Sequence, residues 1–127
     1  MPKPKSTRRR LFAILNAIHH IELNVRDMDQ AAFTSDHKTY RAVERELEII
    51  SEASRSLTPE QKAQHPEIPW RRIADIGNVL RHNYDDVAPR LIWEVVANHL
   101  GALKQAAQSL YRQVKRPADP WPDAEPE

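Results

Sequence analysis

The sequence predicts an all-α fold, a bundle of four to five helices, and three observations predict it. Apolar residues recur at the three-four spacing of a helix face in several long stretches. Prolines and capping residues stand where such stretches begin, and no alternating strand pattern competes with them. At 127 residues the chain is the size of one compact domain, so the helices must share a single core.

Each element follows from its residues. Leu11, Ile14, Leu15, Ile18, Ile21 and Val25 mark the inner face of a first helix, with basic residues just before it. Asp27 and Gln30 form a capping pair for a following turn through Ala31, Ala32 and Phe33. Tyr40, Val43, Leu47, Ile50, Ser54 and Leu57 then repeat as a heptad seam, predicting a long helix near residues 36–57. At about 1.5 Å per residue this helix is about 33 Å long, more than one neighbour covers, which favours a second copy of the chain. Thr58-Pro59-Glu60-Gln61 has the form of a capping box with proline at the first helical position, so a short helix runs to about Gln64 and stops at His65-Pro66. Pro69 opens the next helix, whose inner face is Trp70, Ile73, Ala74, Gly77 and Leu80. Pro89 opens the last, carrying Ile92, Val95, Val96, His99, Leu103, Ala106, Leu110 and Val114.

Composition excludes several chemistries. There is no cysteine, hence no disulfide, thiolate zinc site or cysteine nucleophile. With Gly77 and Gly101 as the only glycines, no glycine-rich nucleotide loop can be written. The uncharged run Leu11 to Ile21 is far short of the roughly 20 apolar residues of a membrane span, so a cytoplasmic protein with no membrane contact is expected. Charge is distributed by position: Lys3, Lys5, Arg8, Arg9 and Arg10 stand without an acid at the front, and Asp119, Asp123, Glu125 and Glu127 without a base at the end. The body between them carries 14 charges of each sign. Three regions are therefore expected: a disordered basic arm at 1–9, a helical body at 10–115 and a proline-rich acidic tail at 116–127. Both ends are expected to be mobile. Trp70 and Trp93 are expected as core anchors, and Trp121 as a tail residue able to staple a partner.

Metal ligation is weakly supported. His19 and Glu22 share a helix face, and Glu44, Glu48 and Glu52 form a stack, but Arg41, Arg45 and Arg55 interleave with the stack as salt partners. No Glu-x-x-His pair of a di-iron bundle occurs, so no metal or other cofactor is expected. Glu52 lies closer to the apolar seam than its neighbours, where a hydrogen-bonding role toward a neighbouring helix is open to it.

The segment from Ile76 to Tyr84 stands apart. It gathers Asn78, Arg81, His82, Asn83 and Tyr84 at a helix end, followed at once by Asp85 and Asp86. Arg81 and His82 are well placed to offset the helix dipole as simple C-terminal cations. They are equally suited to phosphodiester chemistry. A free imidazole titrates near pH 6.5, at about neutrality, and a guanidinium fork grips phosphate.

The run from Arg41 to Ser54, then Pro66-Glu67-Ile68-Pro69-Trp70, then Asn78 to Tyr84, then Trp93, resembles the HepT-type toxins of the HEPN superfamily over essentially the whole helical body. The resemblance implies a HEPN-type bundle paired as a two-fold homodimer. It also implies a metal-independent ribonuclease with the motif Arg-x-x-x-x-His-x-Tyr, and a small nucleotidyltransferase antitoxin that adds adenylate to the motif tyrosine. On this chain His82 takes the motif histidine, Tyr84 the motif tyrosine, and Asn78 the polar residue after the motif arginine. The arginine position itself falls on Gly77, which has no side chain to bind phosphate. Arg81, beside the histidine, and Arg72, five residues before Gly77, are the nearest replacements. Two functions stay open: an RNA-cleaving toxin, or a catalytically inactive helical subunit that docks a nucleotidyltransferase and its nucleotide or substrate.

Overall fold

A computed structural model of the chain describes residues 6–82 and 87–123, with residues 87 and 88 described as helical backbone only. The described residues form seven helices and no strand: α1 (Thr7–Val25), α2 (Gln30–Ser35), α3 (His37–Ser54), α4 (Pro59–Ala63), α5 (Trp70–His82), α6 (Val87–Asn98) and α7 (Leu100–Val114). Helix α3 packs against both α1 and α5, α1 also packs against α7, and α2 closes on α6. The core is built from the seams: Leu11, Ile14 and Ile21 of α1, Val43 of α3 and Ile92 of α6 are completely shielded from solvent. Each such burial contributes about 1.5–3 kcal/mol relative to exposure.

Local chemistry accounts for the ends. Thr58 accepts the N–H of Gln61 while the Gln61 side chain accepts the N–H of Thr58, the reciprocal cap expected of α4. Helix α2 is capped by Asp29, whose carboxylate accepts the N–H of Ala32, and not by Asp27. Asp27 instead adopts a left-handed φ of 64° in the turn that precedes it. Helix α3 begins after Asp36, whose carboxyl is held below its ordinary range by the N–H of Thr39.

Three further expectations change. The single last helix is two, because the chain leaves helical geometry at His99 (φ −124°) where Asn98, His99 and Gly101, all weak helix formers, cluster. The α3 seam is fully covered within one chain, by α1 and α5, so its length is no argument for a second copy. The ends are also not free where they are described. Helix α1 already starts at Thr7 behind the Ser6 cap. Arg8 Nη1 donates to both carboxylate oxygens of Asp119 at 2.8 Å, fastening the start of the chain to the tail. Tyr111 donates to the carbonyl of Pro120 at 2.7 Å, and Trp121 stacks edge-on against the Tyr111 ring at 5.1 Å. Trp121 thus staples its own chain.

Candidate active site

Helix α5 carries the residues that the sequence singles out, and its placement is unusually well fastened. At its start, Trp70 Nε1 donates to the carbonyls of Lys62 and His65, at 3.1 and 3.0 Å. Midway, the Ser51 hydroxyl of α3 donates to the carbonyl of Ala74 at 2.8 Å and accepts the N–H of Gly77 at 3.2 Å. Arg55 Nε, at the C-cap of α3, donates to the same Ala74 carbonyl at 2.9 Å. These bonds reach past side chains to the α5 backbone, and Gly77 permits that approach: a Cβ there would stand 3.3 Å from Ser51 Oγ.

Ile73, Ile76, Gly77 and Leu80 face the core, which leaves Arg71, Arg72, Asp75, Asn78, Arg81 and His82 on the exposed side. Asn78 and His82 lie one turn apart on that side, four residues along the helix. Arg81, one turn beyond Gly77, folds back so that its Nη1 lies 3.7 Å from where a Gly77 Cβ would be. A guanidinium therefore lies over the position from which an arginine at 77 would start. A helix C-terminus presents carbonyls rather than amides, so an anion held at this end depends on side-chain cations.

The other candidates sit elsewhere. Arg72 donates through Nη2 to Glu94 of α6 at 2.9 Å and lies ten residues before His82, about 15 Å along the helix. Its charge is engaged by Glu94 and it stands far from His82 along the helix. Glu52 is exposed and its carboxylate has no hydrogen bond among the described residues. The bond between helices open to Glu52 is made one residue earlier, by Ser51. Tyr84 lies outside the described residues.

The metal-type groupings dissolve into ordinary ion pairs. Glu44 and Glu48 pair with Arg41 and Arg45 at 3.1 and 3.4 Å, and Glu22 with Lys104 at 3.0 Å. Among the described residues no group of three histidine or carboxylate side chains is arranged to hold a metal ion, and no helix is long and apolar enough to cross a membrane. Ser51 is the residue that sequence reasoning passed over. A small polar residue in the seam, facing a helix with glycine on its inner side, is the available signal for such a close crossing.

A family model described as ribonuclease HepT-like matches residues 14–110, which include all of α3 and α5. The chain belongs to the HepT-like family. A Thermococcus cleftensis protein named probable ribonuclease HepT is 40% identical over 97 residues, 76% of this chain and 88% of that protein. A Methanocaldococcus jannaschii protein named as a candidate RNase is 36% identical over 98 residues, covering 77% of this chain and 80% of its own. Another so named, from Caldanaerobacter subterraneus subsp. tengcongensis, is 31% identical over 111 residues, 87% of this chain and 99% of its own. No solved structure matches significantly. The HepT-like match excludes the Arg8–Asp119 clasp, which joins residues on either side of it.

Proposed function

We propose that this HepT-like chain is an endoribonuclease that cleaves RNA without a metal, at a cleft formed by two copies of the exposed end of α5. The observation that carries the proposal is the position of Arg81, whose guanidinium overlies Gly77 and returns a cation to the motif's arginine position. The reaction is transphosphorylation. The 2′-hydroxyl oxygen attacks the adjacent phosphorus, the P–O5′ bond breaks, and the products are a 2′,3′-cyclic phosphate and a 5′-hydroxyl. His82 of one protomer takes the hydroxyl proton while His82 of the other protonates the leaving oxygen, each transfer contributing about 10²- to 10⁴-fold. Arg81 stabilises the charge that builds on the phosphorane oxygens, and Asn78 supplies an amide to position the phosphate. Two-fold symmetry converts one histidine per chain into an acid-base pair.

Control is assigned to a small nucleotidyltransferase acting as antitoxin. It transfers adenylate to the Tyr84 oxygen, placing a bulky anion two residues from His82 that repels the RNA backbone. Peptide mass spectrometry of the co-expressed pair is expected to find the adenylate on the Tyr84 peptide.

The test of the activity is direct. The purified protein, incubated with RNA and a chelator, is expected to produce cyclic-phosphate ends, and His82→Ala to produce none while its helical circular dichroism is unchanged. Equal cleavage by both proteins refutes the assignment of His82. No cleavage by the folded wild-type dimer leaves a helical subunit that docks a transferase.

A further inference from the structure

Beside the start of α5 lies an open groove of about 1080 Å³, lined by Arg55, Trp70, Arg71, Arg72 and Asp75 among others. Its charge is mainly positive, and its cations differ in how they are engaged. Arg72 is paired with Glu94 at 2.9 Å. Arg55 spends only Nε on the Ala74 carbonyl, so its two terminal amino groups have no partner among the described residues. Arg71 is exposed, and its side chain has no hydrogen bond or ion pair among the described residues. Trp70 turns its indole N–H inward to two backbone carbonyls, so what it offers the groove is carbon surface. Arginine forks beside an aromatic ring are the combination that holds single-stranded nucleic acid, through phosphate contact and base stacking.

The groove and the histidine share one helix. Arg71 lies eleven residues before His82 on the exposed side of α5, about 16 Å along its axis. That separation is a few nucleotides of extended strand, within the about 4 to 16 nucleotides that single-strand grooves engage.

We infer that this groove is a second RNA subsite, in which Arg71 and Arg55 hold backbone phosphates a few nucleotides from the bond cut at His82 while Trp70 stacks a base. The inference rests on the ribonuclease reading for its register, and it adds that single-stranded RNA long enough to span both places is the preferred substrate. Asp75 is the one carboxylate among the described residues that line the groove, so it opposes the strand and its removal should tighten binding.

Two measurements test this. The first is the ratio of kcat/KM for an RNA of about eight nucleotides, which spans both places, to that for a dinucleotide, which cannot. Arg71→Glu is expected to lower this ratio about tenfold, a phosphate contact becoming a repulsion, and Asp75→Asn to raise it. The second is binding of the same octamer to the His82→Ala protein as salt is varied. Removing Arg71 there should flatten the slope of log K against log salt by about 0.7, the share of one phosphate contact in a single strand. An unchanged ratio and slope overturn the subsite, and that result is also what a groove reserved for an acidic protein partner would give. If the wild type cuts neither RNA, the ribonuclease reading fails, and the salt slope still decides whether the groove binds RNA.

Discussion

Ser51 holds Gly77 by its backbone, accepting the Gly77 N–H at 3.2 Å while donating to the carbonyl of Ala74 at 2.8 Å. One hydroxyl thus ties two points of α5 to α3, and no side chain at position 77 intervenes. The arrangement explains why glycine is acceptable there although it costs a helix about 1 kcal/mol relative to alanine.

The energetic consequence is a coupling between the two sites. Gly77→Ala brings a Cβ to 3.3 Å from Ser51 Oγ, and the hydroxyl cannot retreat without stretching both of its bonds. In the wild type the propensity gain should therefore be cancelled or reversed. In a Ser51→Ala background the nearest Ser51 atom left is the Cβ at 3.6 Å, an ordinary contact, and the gain of about 1 kcal/mol should appear. Urea unfolding of the four proteins measures this coupling. Equal stabilisation by Gly77→Ala in both backgrounds would show that the contact is soft.

Arg81 and Arg72 should separate kinetically. Arg81→Ala removes the guanidinium that overlies Gly77 and is expected to lower kcat by about 10²- to 10³-fold, the usual cost of one donor to developing charge. Arg72 is paired with Glu94 near the far end of α5, so Arg72→Ala should act on KM for long RNA. A larger loss of kcat from Arg72→Ala than from Arg81→Ala would move the site to the other end of the helix.

The seams of α1, α3 and α5 were legible in the sequence because burial follows the helical period, and Leu11, Val43 and Ile73 fall where that period puts them. The break at His99 was not, since the apolar rhythm runs on through Val96, His99 and Leu103 as if the helix were continuous. The tail was misread for a different reason. Its prolines and acids have the composition of a disordered segment, and the base that binds it, Arg8, lies 111 residues away in the chain. For the candidate site, the exposed run from Asn78 to His82 could be read from residue types, whereas the return of Arg81 over Gly77 depends on a rotamer that no spacing encodes.

The docked tail should come away at both extremes of pH. The N–H of Arg116 and the Arg8 guanidinium hold the Asp119 carboxyl below its ordinary range, the first being the stronger cause. A depressed carboxylate contributes stability above its unfolded pKa of about 3.9, and that contribution is lost as pH falls through the folded value. Tyr111 has the opposite sign. Burial, aided by the nearby charge of Asp119, raises its phenol, which must keep its proton to donate to Pro120. That contribution is complete below about pH 10 and is lost as pH rises through the folded value. Trp121 emission, taken as the difference between the wild type and Trp121→Phe, should therefore hold a plateau from about pH 4 to about pH 10 and change on either side. Asp119→Asn should remove the acid limb and leave the alkaline one. An acid limb of the same size in Asp119→Asn would assign it to another group and detach the clasp from the docking of the tail.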